Sequence, residues 1–147
     1  MTDKPQQRPS AERSAIMRAV RGKDTTPELL VRRLLRGIAP GYRLHRREVP
    51  GRPDVAYVGR KAAIFVHGCF WHGHDCARGA RVPKANRDYW EAKIARNRAR
   101  DADNLAALAA RGWRSLVVWE CETKDEAALR ERLAAFALRR PATPPEP

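Results

Sequence analysis

Residues 50–68, PGRPDVAYVGRKAAIFVHG, decide how the chain folds. Residues 55–58 and 61–66 are short runs of mainly apolar side chains, and residues 59–60 between them are Gly-Arg. Two apolar runs separated by a two-residue turn that contains glycine predict a β-hairpin. We therefore expect a pair of antiparallel strands at the centre of the fold.

The register of this hairpin places an aspartate at its open end. A two-residue loop sets Val58 opposite Lys61, because the loop length determines which residues face each other. The same register brings Asp54 opposite Phe65 and next to Val66. The chain leaves the hairpin after Val66, so we expect Asp54 at the start of the following segment.

Upstream of the hairpin, residues 24–37, DTTPELLVRRLLRG, carry the signals of a helix. They predict Thr26 as the N-cap, Pro27 at the first helical position and Gly37 just past the end. The buried stripe is predicted to consist of Leu30, Val31, Leu34, Leu35 and Ile38. The solvent-facing side is predicted to carry Arg32, Arg33 and Arg36.

Downstream, residues 86–111 predict a long helix that ends before Gly112. Residues 113–120, WRSLVVWE, predict a buried strand with Cys121 at its exit. Residues 125–138 predict a final amphipathic helix, whose inward side chains are Leu129, Leu133 and Phe136. The order of helix, two or three strands, long helix, strand and helix predicts an α/β fold with a mixed central sheet.

The chain has 147 residues, a length typical of one domain. We expect a flexible N-terminal arm over residues 1–12, a single folded domain over residues 13–139, and a disordered Pro-rich tail over residues 140–147. The sequence has no apolar run of transmembrane length and no signal-peptide pattern, which predicts a cytoplasmic protein.

The composition is strongly basic. Thirty lysine and arginine residues face 17 aspartate and glutamate residues, for a formal net charge of +13 at pH 7. Such a balance in a small chain favours a nucleic-acid partner, and the abundance of arginine suits contacts to phosphate. The alternative is a solvated basic surface in a protein from an arginine-rich proteome.

Residues 67–76, HGCFWHGHDC, hold three histidines and two of the three cysteines. Three cysteines without a secretion signal favour reduced thiols or metal ligands over disulfides. Three thiolates and one imidazole form a natural structural zinc set, which here is Cys69, His74, Cys76 and Cys121. The alternative is that Cys121 is an ordinary buried cysteine and the rest is a polar loop.

The acids and the remaining histidines predict a second centre. Asp54, next to a cationic loop in a basic protein, opposes phosphate binding unless a divalent cation such as Mg²⁺ lies between them. Asp101 falls on the apolar face of the long helix and needs a partner, which is either functional or an arginine in a structural salt bridge. His72 is a candidate general base, whereas His67 remains outside the zinc set. Glu28 lies in a first helical turn, where acids usually complement the helix dipole.

Phe70 and Trp71 lie between the proposed zinc ligand Cys69 and the candidate base His72. One interpretation is a small aromatic cluster that covers the zinc loop. The other is an aromatic wedge that stacks between DNA bases. Trp90 and Met17 can extend such a wedge, or they can belong to the core.

In combination, these motifs resemble the very-short-patch-repair (Vsr-type) DNA mismatch endonucleases. The resemblance extends over residues 13–136 and rests on RSAIMRAVRGKDTTPE, PGRPD, HGCFWHGHDC, YWEAKIARNRARD and GWRSLVVWEC. It implies a restriction-endonuclease-like α/β core with a structural zinc. It also implies Mg²⁺-dependent nicking of one DNA strand on the 5′ side of the thymine of a T:G mismatch, which arises when 5-methylcytosine deaminates.

The resemblance also implies roles for individual residues. Asp54 matches the Mg²⁺-ligating aspartate, and the Val66 backbone carbonyl matches a second ligand, although family members carry threonine there. His72 matches the catalytic histidine, Asp101 the acid that supports it, and Glu28 a further active-site acid. The zinc set matches Cys69, His74, Cys76 and Cys121. The DNA-inserting residues match Phe70, Trp71, Trp90 and Met17.

Two other functions remain open from the residues alone. One is a zinc-stabilised DNA-binding module without catalysis, which the presence of Asp54, His72 and Asp101 disfavours. The other is a zinc hydrolase centred on residues 67–76, which requires an open coordination position on the zinc. The expected partner is double-stranded DNA containing a T:G mismatch, with mismatch-repair proteins as further candidates. We expect a monomer.

Overall fold

The computed structural model describes residues 25–76 and 82–139. Helix α1 spans Thr26–Ile38 and is capped by Thr25, whose hydroxyl accepts a hydrogen bond from the Glu28 amide at 3.4 Å. The predicted cap, Thr26, was one residue late, because Thr25 is the residue with extended backbone and a side chain that reaches the third following amide. Gly37 does not end the helix but lies within it at an exposed position.

Four strands form one mixed sheet in the order β1–β2–β3–β4. Their bounds are Arg43–Leu44 for β1, Val55–Tyr57 for β2, Ala62–His67 for β3 and Arg114–Trp119 for β4. The first three strands pair antiparallel, whereas β4 pairs parallel to β3. Parallel neighbours need a long crossover, and the helix between β3 and β4 supplies it. The predicted α/β fold with a mixed sheet is confirmed.

The hairpin of β2 and β3 has the predicted register. The observed pairs are Val55 with Ile64, Ala56 with Ala63, and Tyr57 with Ala62. The turn is longer than predicted, since residues 58–61 all lie outside the strands and Lys61 adopts a positive φ of 51°. The register is unaffected, because the two extra turn residues, Val58 and Lys61, still face each other.

Helix α2 spans Arg87–Ala110, and helix α3 spans Glu126–Ala137 after a short 3-10 helix at Glu120–Lys124. Both helices lie within the predicted ranges. Asn86 precedes α2 in the left-handed conformation, and Gly112 follows it with a φ of 79°. Asp125 caps α3 by accepting a hydrogen bond from the Ala128 amide at 3.1 Å.

The sheet separates two apolar cores, because successive side chains of β3 point to opposite faces. Ile64 packs with α1 and α3 in one core, whereas Ala63 and Phe65 pack against α2 in the other. The first core is formed by Val31, Leu34, Leu35, Ala39, Val55, Tyr57, Ala62, Ile64, Val118, Leu129, Leu133 and Ala137. The second is formed by Val49, Ala63, Phe65 and Leu108.

Two burial predictions were wrong. Strand β4 was expected to be buried, but it lies at the edge of the sheet and only Val118 in it is fully buried. Arg32 was assigned to the solvent-facing side of α1, but it is 8% exposed. Its side chain turns inward because Glu28, one helical turn earlier, offers it a buried carboxylate at 3.2 Å.

Some predictions concern residues outside the described ranges. These are the N-terminal arm over residues 1–12, the tail over residues 140–147, and Met17. None of the helices in residues 25–76 and 82–139 combines the length and the apolar character needed to span a membrane.

Candidate active site and metal centre

The structure brings the four predicted zinc ligands together. One ligand atom from each of Cys69, His74, Cys76 and Cys121 lies within 4.8 Å of all the others. The Cys121 amide donates to the Cys69 sulfur at 3.3 Å, and the His74 amide donates to the Cys69 carbonyl at 2.9 Å. Local turns thus hold the loop ligands, while Cys121 arrives from the end of β4.

The chemistry of this cluster suits a metal better than free thiols. Burial raises the pKa of Cys69 to about 12, and hydrogen bonds with the neighbouring thiols contribute to the rise. Burial also raises the pKa of Cys121. A bound cation reverses this effect, because it stabilises the thiolate form. Three sulfurs and one imidazole nitrogen are the donor set that Zn²⁺ prefers, and they complete a tetrahedron.

A second cluster lies at the start of the same loop. His72 Nδ1 contacts Asp101 Oδ2 at 2.6 Å, and His67 Nε2 lies 4.0 Å from Asp101 Oδ1. The two imidazole rings stack, with centroids 3.8 Å apart and an interplanar angle of 2°. Asp101 was expected to need a partner, and His72 is that partner.

His67 is part of this cluster, which the sequence analysis did not predict. Burial lowers the pKa of His67 to about 4, and the adjacent His72 contributes to the decrease. The ring is therefore neutral near pH 7. The alternation of side chains along β3 could have predicted this position. It places His67 on the same face as Phe65, towards helix α2 and Asp101.

A third cluster contains Glu28, His45 and Asp54, whose ligand atoms also lie within 4.8 Å of one another. Glu28 is only 3% exposed and accepts a hydrogen bond from Arg32 at 3.2 Å, so it is not a solvated first-turn acid. Asp54 Oδ2 accepts a hydrogen bond from the Val66 amide at 2.6 Å, as the hairpin register predicted.

His45 was also missed. Its Nδ1 lies 4.0 Å from Asp54 Oδ1, and its Nε2 lies 3.7 Å from Glu28 Oε2. Strand β1 pairs Leu44 with Val55, which puts the next residue, His45, opposite Asp54. This pairing could not be predicted from local sequence patterns, because β1 has only two residues.

Asp54, one of the two acids of the third cluster, has an unusual pKa. Burial raises the pKa of Asp54 to about 7, and the adjacent Glu28 carboxyl adds to the rise. The Val66 amide and the Arg32 charge act in the opposite direction but do not compensate. A divalent cation here removes the repulsion between the two acids, so the site gains more from a cation than an exposed aspartate does.

The end of β3 joins the three clusters. Val66 contacts Asp54, His67 stacks on His72, and Cys69 follows two residues later. From the neighbouring strand, the Trp119 ring stacks on His74 at 4.2 Å and contacts the His67 ring edge-on at 5.2 Å. The loop that carries the candidate metal ligands and the His67 ring are therefore packed against one indole.

The predicted DNA-inserting aromatic residues lie together beside this loop. Phe70, Trp71 and Trp90 contact one another edge to face, with centroids 5.1–5.7 Å apart. Phe70 and Trp71 are half-buried, whereas Trp90 is 8% exposed. In the free protein these rings form the aromatic cluster that was one of the two interpretations.

Contacts from α2 hold the aromatic loop. Asn97 Nδ2 donates to the Trp71 carbonyl at 2.8 Å. Gly73 has a φ of +64°, and a Cβ there would lie 2.7 Å from both Ile94 Cγ2 and Arg98 Cδ. Only glycine allows the loop to approach the helix this closely.

Comparison with known proteins identifies a family. The family model described as DNA mismatch endonuclease Vsr matches residues 7–78. The Type II nicking enzyme V.XorIIP of Xanthomonas oryzae pv. oryzae is 53% identical over 121 residues, which cover 82% of this chain and 88% of that protein. The Type II nicking enzyme V.NmeAIP of Neisseria meningitidis is 42% identical over 124 residues, with coverages of 84% and 88%. DNA mismatch endonuclease Vsr of Escherichia coli is 40% identical over 128 residues, with coverages of 84% and 81%.

The raised pKa of Asp54 predicts a pH-dependent effect of Asp54→Asn on stability. The folded protein holds this proton up to pH about 7, so its stability decreases as the pH rises above the ordinary aspartate pKa of 3.8. Asparagine removes the charge and keeps an acceptor for the Val66 amide. The free energy of unfolding of the variant minus that of wild type should increase by about 2–3 kcal/mol from pH 5 to pH 8. Both values are measured by urea unfolding without added divalent cations.

Glu48→Gln is the control for this measurement. Hydrogen bonds from the backbone and from Arg46 lower the pKa of exposed Glu48 below its ordinary value of 4.5, so this variant should show no pH-dependent change in stability between pH 5 and pH 8. An Asp54→Asn effect that is equal at both pH values would contradict the electrostatic description of the site.

Proposed function

The chain belongs to the Vsr family of DNA mismatch endonucleases, and we propose that it nicks one DNA strand on the 5′ side of the thymine in a T:G mismatch, using Mg²⁺. The substrate is the product of 5-methylcytosine deamination, so the nick starts very short patch repair. The convergence of the three clusters on the end of β3 supports this proposal most strongly. We further propose that the mixed sheet is the restriction-endonuclease-like core, and that the enzyme acts in the cytoplasm as a monomer.

The proposed Mg²⁺ ligands are Asp54 and the Val66 backbone carbonyl. The amide and carbonyl of one strand residue point to the same edge, and the Val66 amide points at Asp54. Val66 lies beyond the last β2–β3 pair, Val55 with Ile64, and Pro53 in the facing position has no N–H to donate. This arrangement supports a position of the Val66 carbonyl oxygen next to the Asp54 carboxylate. When bound there, Mg²⁺ would stabilise the negative charge that develops on the phosphate.

His72 is the proposed general base, and Asp101 is the residue that orients it. An ionised carboxylate only accepts hydrogen bonds, so the 2.6 Å contact places the ring proton of His72 on Nδ1. The lone pair of Nε2 is then available to take a proton from the attacking water. The neutral ring of His67, stacked on His72, fixes the plane of the base. Glu28 is proposed as a further active-site acid beside Asp54.

The Cys69, His74, Cys76 and Cys121 set is proposed to bind a structural Zn²⁺. Four protein ligands leave no coordination position for a reacting water, which disfavours the zinc hydrolase alternative. Along the chain, Phe70, Trp71 and His72 lie between the proposed ligands Cys69 and His74. The metal would therefore fix the aromatic residues and the base relative to Asp54.

The DNA contacts are proposed to come from the basic surface and the aromatic cluster. A charge of +13 favours the phosphate backbone without reading sequence. Phe70 and Trp71 would insert next to the mismatch, with Trp90 buried behind them, because half-buried rings can exchange contacts with each other for stacking on bases. Met17 is proposed to contact the DNA as well. A DNA-binding module without catalysis would have no use for the His72–Asp101 pair.

Replacing Asp54 tests the assignment of the Mg²⁺ site. Asp54→Ala should reduce nicking of a T:G duplex by at least about 10³-fold, because charge stabilisation by the metal is lost. Its affinity for the mismatched duplex, measured without Mg²⁺, should stay within a few-fold of wild type. Glu48→Ala, at an exposed acid before the same hairpin, should leave both quantities unchanged. Undiminished cleavage by Asp54→Ala would refute the proposed role.

Replacing Asp101 tests the proposed base. Asp101→Asn can donate its amide N–H₂ to His72 Nδ1, which moves the ring proton to Nε2 and removes the base. We expect kcat to fall about 10²–10⁴-fold, with little change in DNA affinity or melting temperature. Asp103→Asn, at an exposed position on the same helix, is the matched control. An unchanged kcat in Asp101→Asn would show that His72 does not depend on this carboxylate.

Metal analysis tests the division of roles between the two cations. The purified protein should contain about one zinc ion per chain. Mild EDTA treatment should abolish nicking while the zinc is retained, and added Mg²⁺ should restore activity. Cys121→Ser should lose zinc and have a lower melting temperature, because the loop is no longer tied to the end of β4. Recovery of nicking with Zn²⁺ alone would instead favour the zinc hydrolase.

A further inference from the structure

His67 lies buried beside the proposed base, and its ring is oriented by packing. The residue is 7% exposed. Within the described part of the chain, its Nδ1 has no hydrogen-bond partner, and its Nε2 lies 4.0 Å from Asp101 Oδ1, beyond hydrogen-bond distance. The rings packed around His67 therefore determine how it is oriented.

Three rings contact His67. Phe65, two residues earlier on the same strand, lies 5.8 Å away with a tilt of 54°. His72 stacks on it from the loop, with centroids 3.8 Å apart. Trp119 contacts it edge to face at 5.2 Å and 74° from the neighbouring strand β4. Trp119 is thus the ring that closes the His67 site from a second strand of the sheet.

The backbone holds Trp119 firmly in this position. Trp119 is the residue that pairs with His67 in the parallel register of β3 and β4. Side chains of paired residues on neighbouring strands lie on the same face of the sheet and contact each other. The Trp119 amide also donates to Glu122 Oε1 at 2.8 Å, which fixes the end of the strand.

The orientation of His67 matters for His72. The single hydrogen bond from His72 Nδ1 to Asp101 leaves the ring free to turn about that bond, and the stacked His67 ring removes this freedom. A general base must lie within hydrogen-bond reach of the proton that it takes. A displacement of about 1 Å can lower the rate about 10²-fold.

We propose that Trp119 is a positioning residue for the base: it holds the His67 ring, which in turn fixes the plane of His72. The inference rests on the proposed function, which assigns His72 as the base. The same indole stacks on His74 at 4.2 Å and 17°. One side chain of β4 therefore supports both the base and a candidate zinc ligand.

The hydrogen bond between His72 and Asp101 gives a readout that needs neither DNA nor Mg²⁺. The proton of such a short, charge-assisted bond resonates far downfield in the proton NMR spectrum, and its disappearance in Asp101→Asn assigns it. In zinc-loaded Trp119→Leu this signal should shift or broaden. It should stay unchanged in Trp113→Leu, a matched control whose half-buried indole precedes the same strand and packs against the second core.

Kinetics test the consequence for nicking of a T:G duplex. Trp119→Leu should lower kcat about 10–10²-fold and change KM by less than about threefold, because the base is displaced while the DNA contacts remain. Trp119→Phe keeps a smaller ring, so its effects on kcat and on the NMR signal should be intermediate. Trp113→Leu should keep the wild-type kcat. A change in KM alone would contradict the positioning role.

A double-mutant cycle tests whether Trp119 acts through His67. Once His67→Ala has removed the ring that Trp119 holds, adding Trp119→Leu should lower kcat by less than about a further threefold. If the two single effects multiply instead, Trp119 acts by another route, such as the zinc loop, and the inference is overturned. All variants are assayed in buffer that contains zinc.

The outcomes separate this inference from the proposed function. A wild-type protein that does not nick T:G duplexes would overturn the proposed function, whereas the NMR comparison would still test Trp119. An unchanged downfield signal in folded Trp119→Leu would overturn the inference and leave the endonuclease intact. If Trp119→Leu does not fold, as judged by circular dichroism, Trp119→Phe decides: a shifted signal with a lower kcat supports the inference, and wild-type values overturn it.

Discussion

The hydrogen bond from the Val66 amide to the Asp54 carboxylate, 2.6 Å long, connects the candidate chemistry to the sheet. It forms where strand β2 has ended and β3 continues. The Asp54 carboxylate therefore takes the place of the backbone group of β2 that would otherwise bond to Val66. Pro53 helps to create this position, because it lacks the N–H that would extend the ladder. The Asp54 carboxylate is thereby held by a rigid element, which fixes its position relative to β3.

From this point, β3 leads directly into the other two clusters. His67 turns its ring towards α2 and stacks on His72, and Cys69 begins the loop of candidate metal ligands two residues later. Trp119 packs against both the loop and His67 from the adjacent parallel strand. The short loop that carries Phe70, Trp71 and His72 has little core of its own, and a metal ion held by Cys69 after β3 and Cys121 after β4 would compensate for that deficit.

The third cluster shows how a basic protein accommodates buried acids. Two carboxyl groups, Glu28 and Asp54, lie together away from solvent, and burial, with the adjacent Glu28, raises the pKa of Asp54 to about 7. Arg32 donates a hydrogen bond to Glu28 at 3.2 Å and so compensates one of the two charges from within the fold. A divalent cation at this position would further reduce the repulsion between the two acids.

The sequence by itself determined the features that depend on neighbours along the chain. Four features follow from local periodicity, turn chemistry and ligand type. They are the hairpin register, the ranges of α2 and α3, the proximity of Asp54 to Val66, and the set of Cys69, His74, Cys76 and Cys121. Only the tertiary structure decided that Arg32 is buried and that His45 and His67 join the acid clusters. A two-residue edge strand brings His45 to Asp54, and packing of β3 against α2 brings His67 to Asp101. Such contacts join segments distant in sequence, and their free energy comes from burial and charge compensation that no local pattern records.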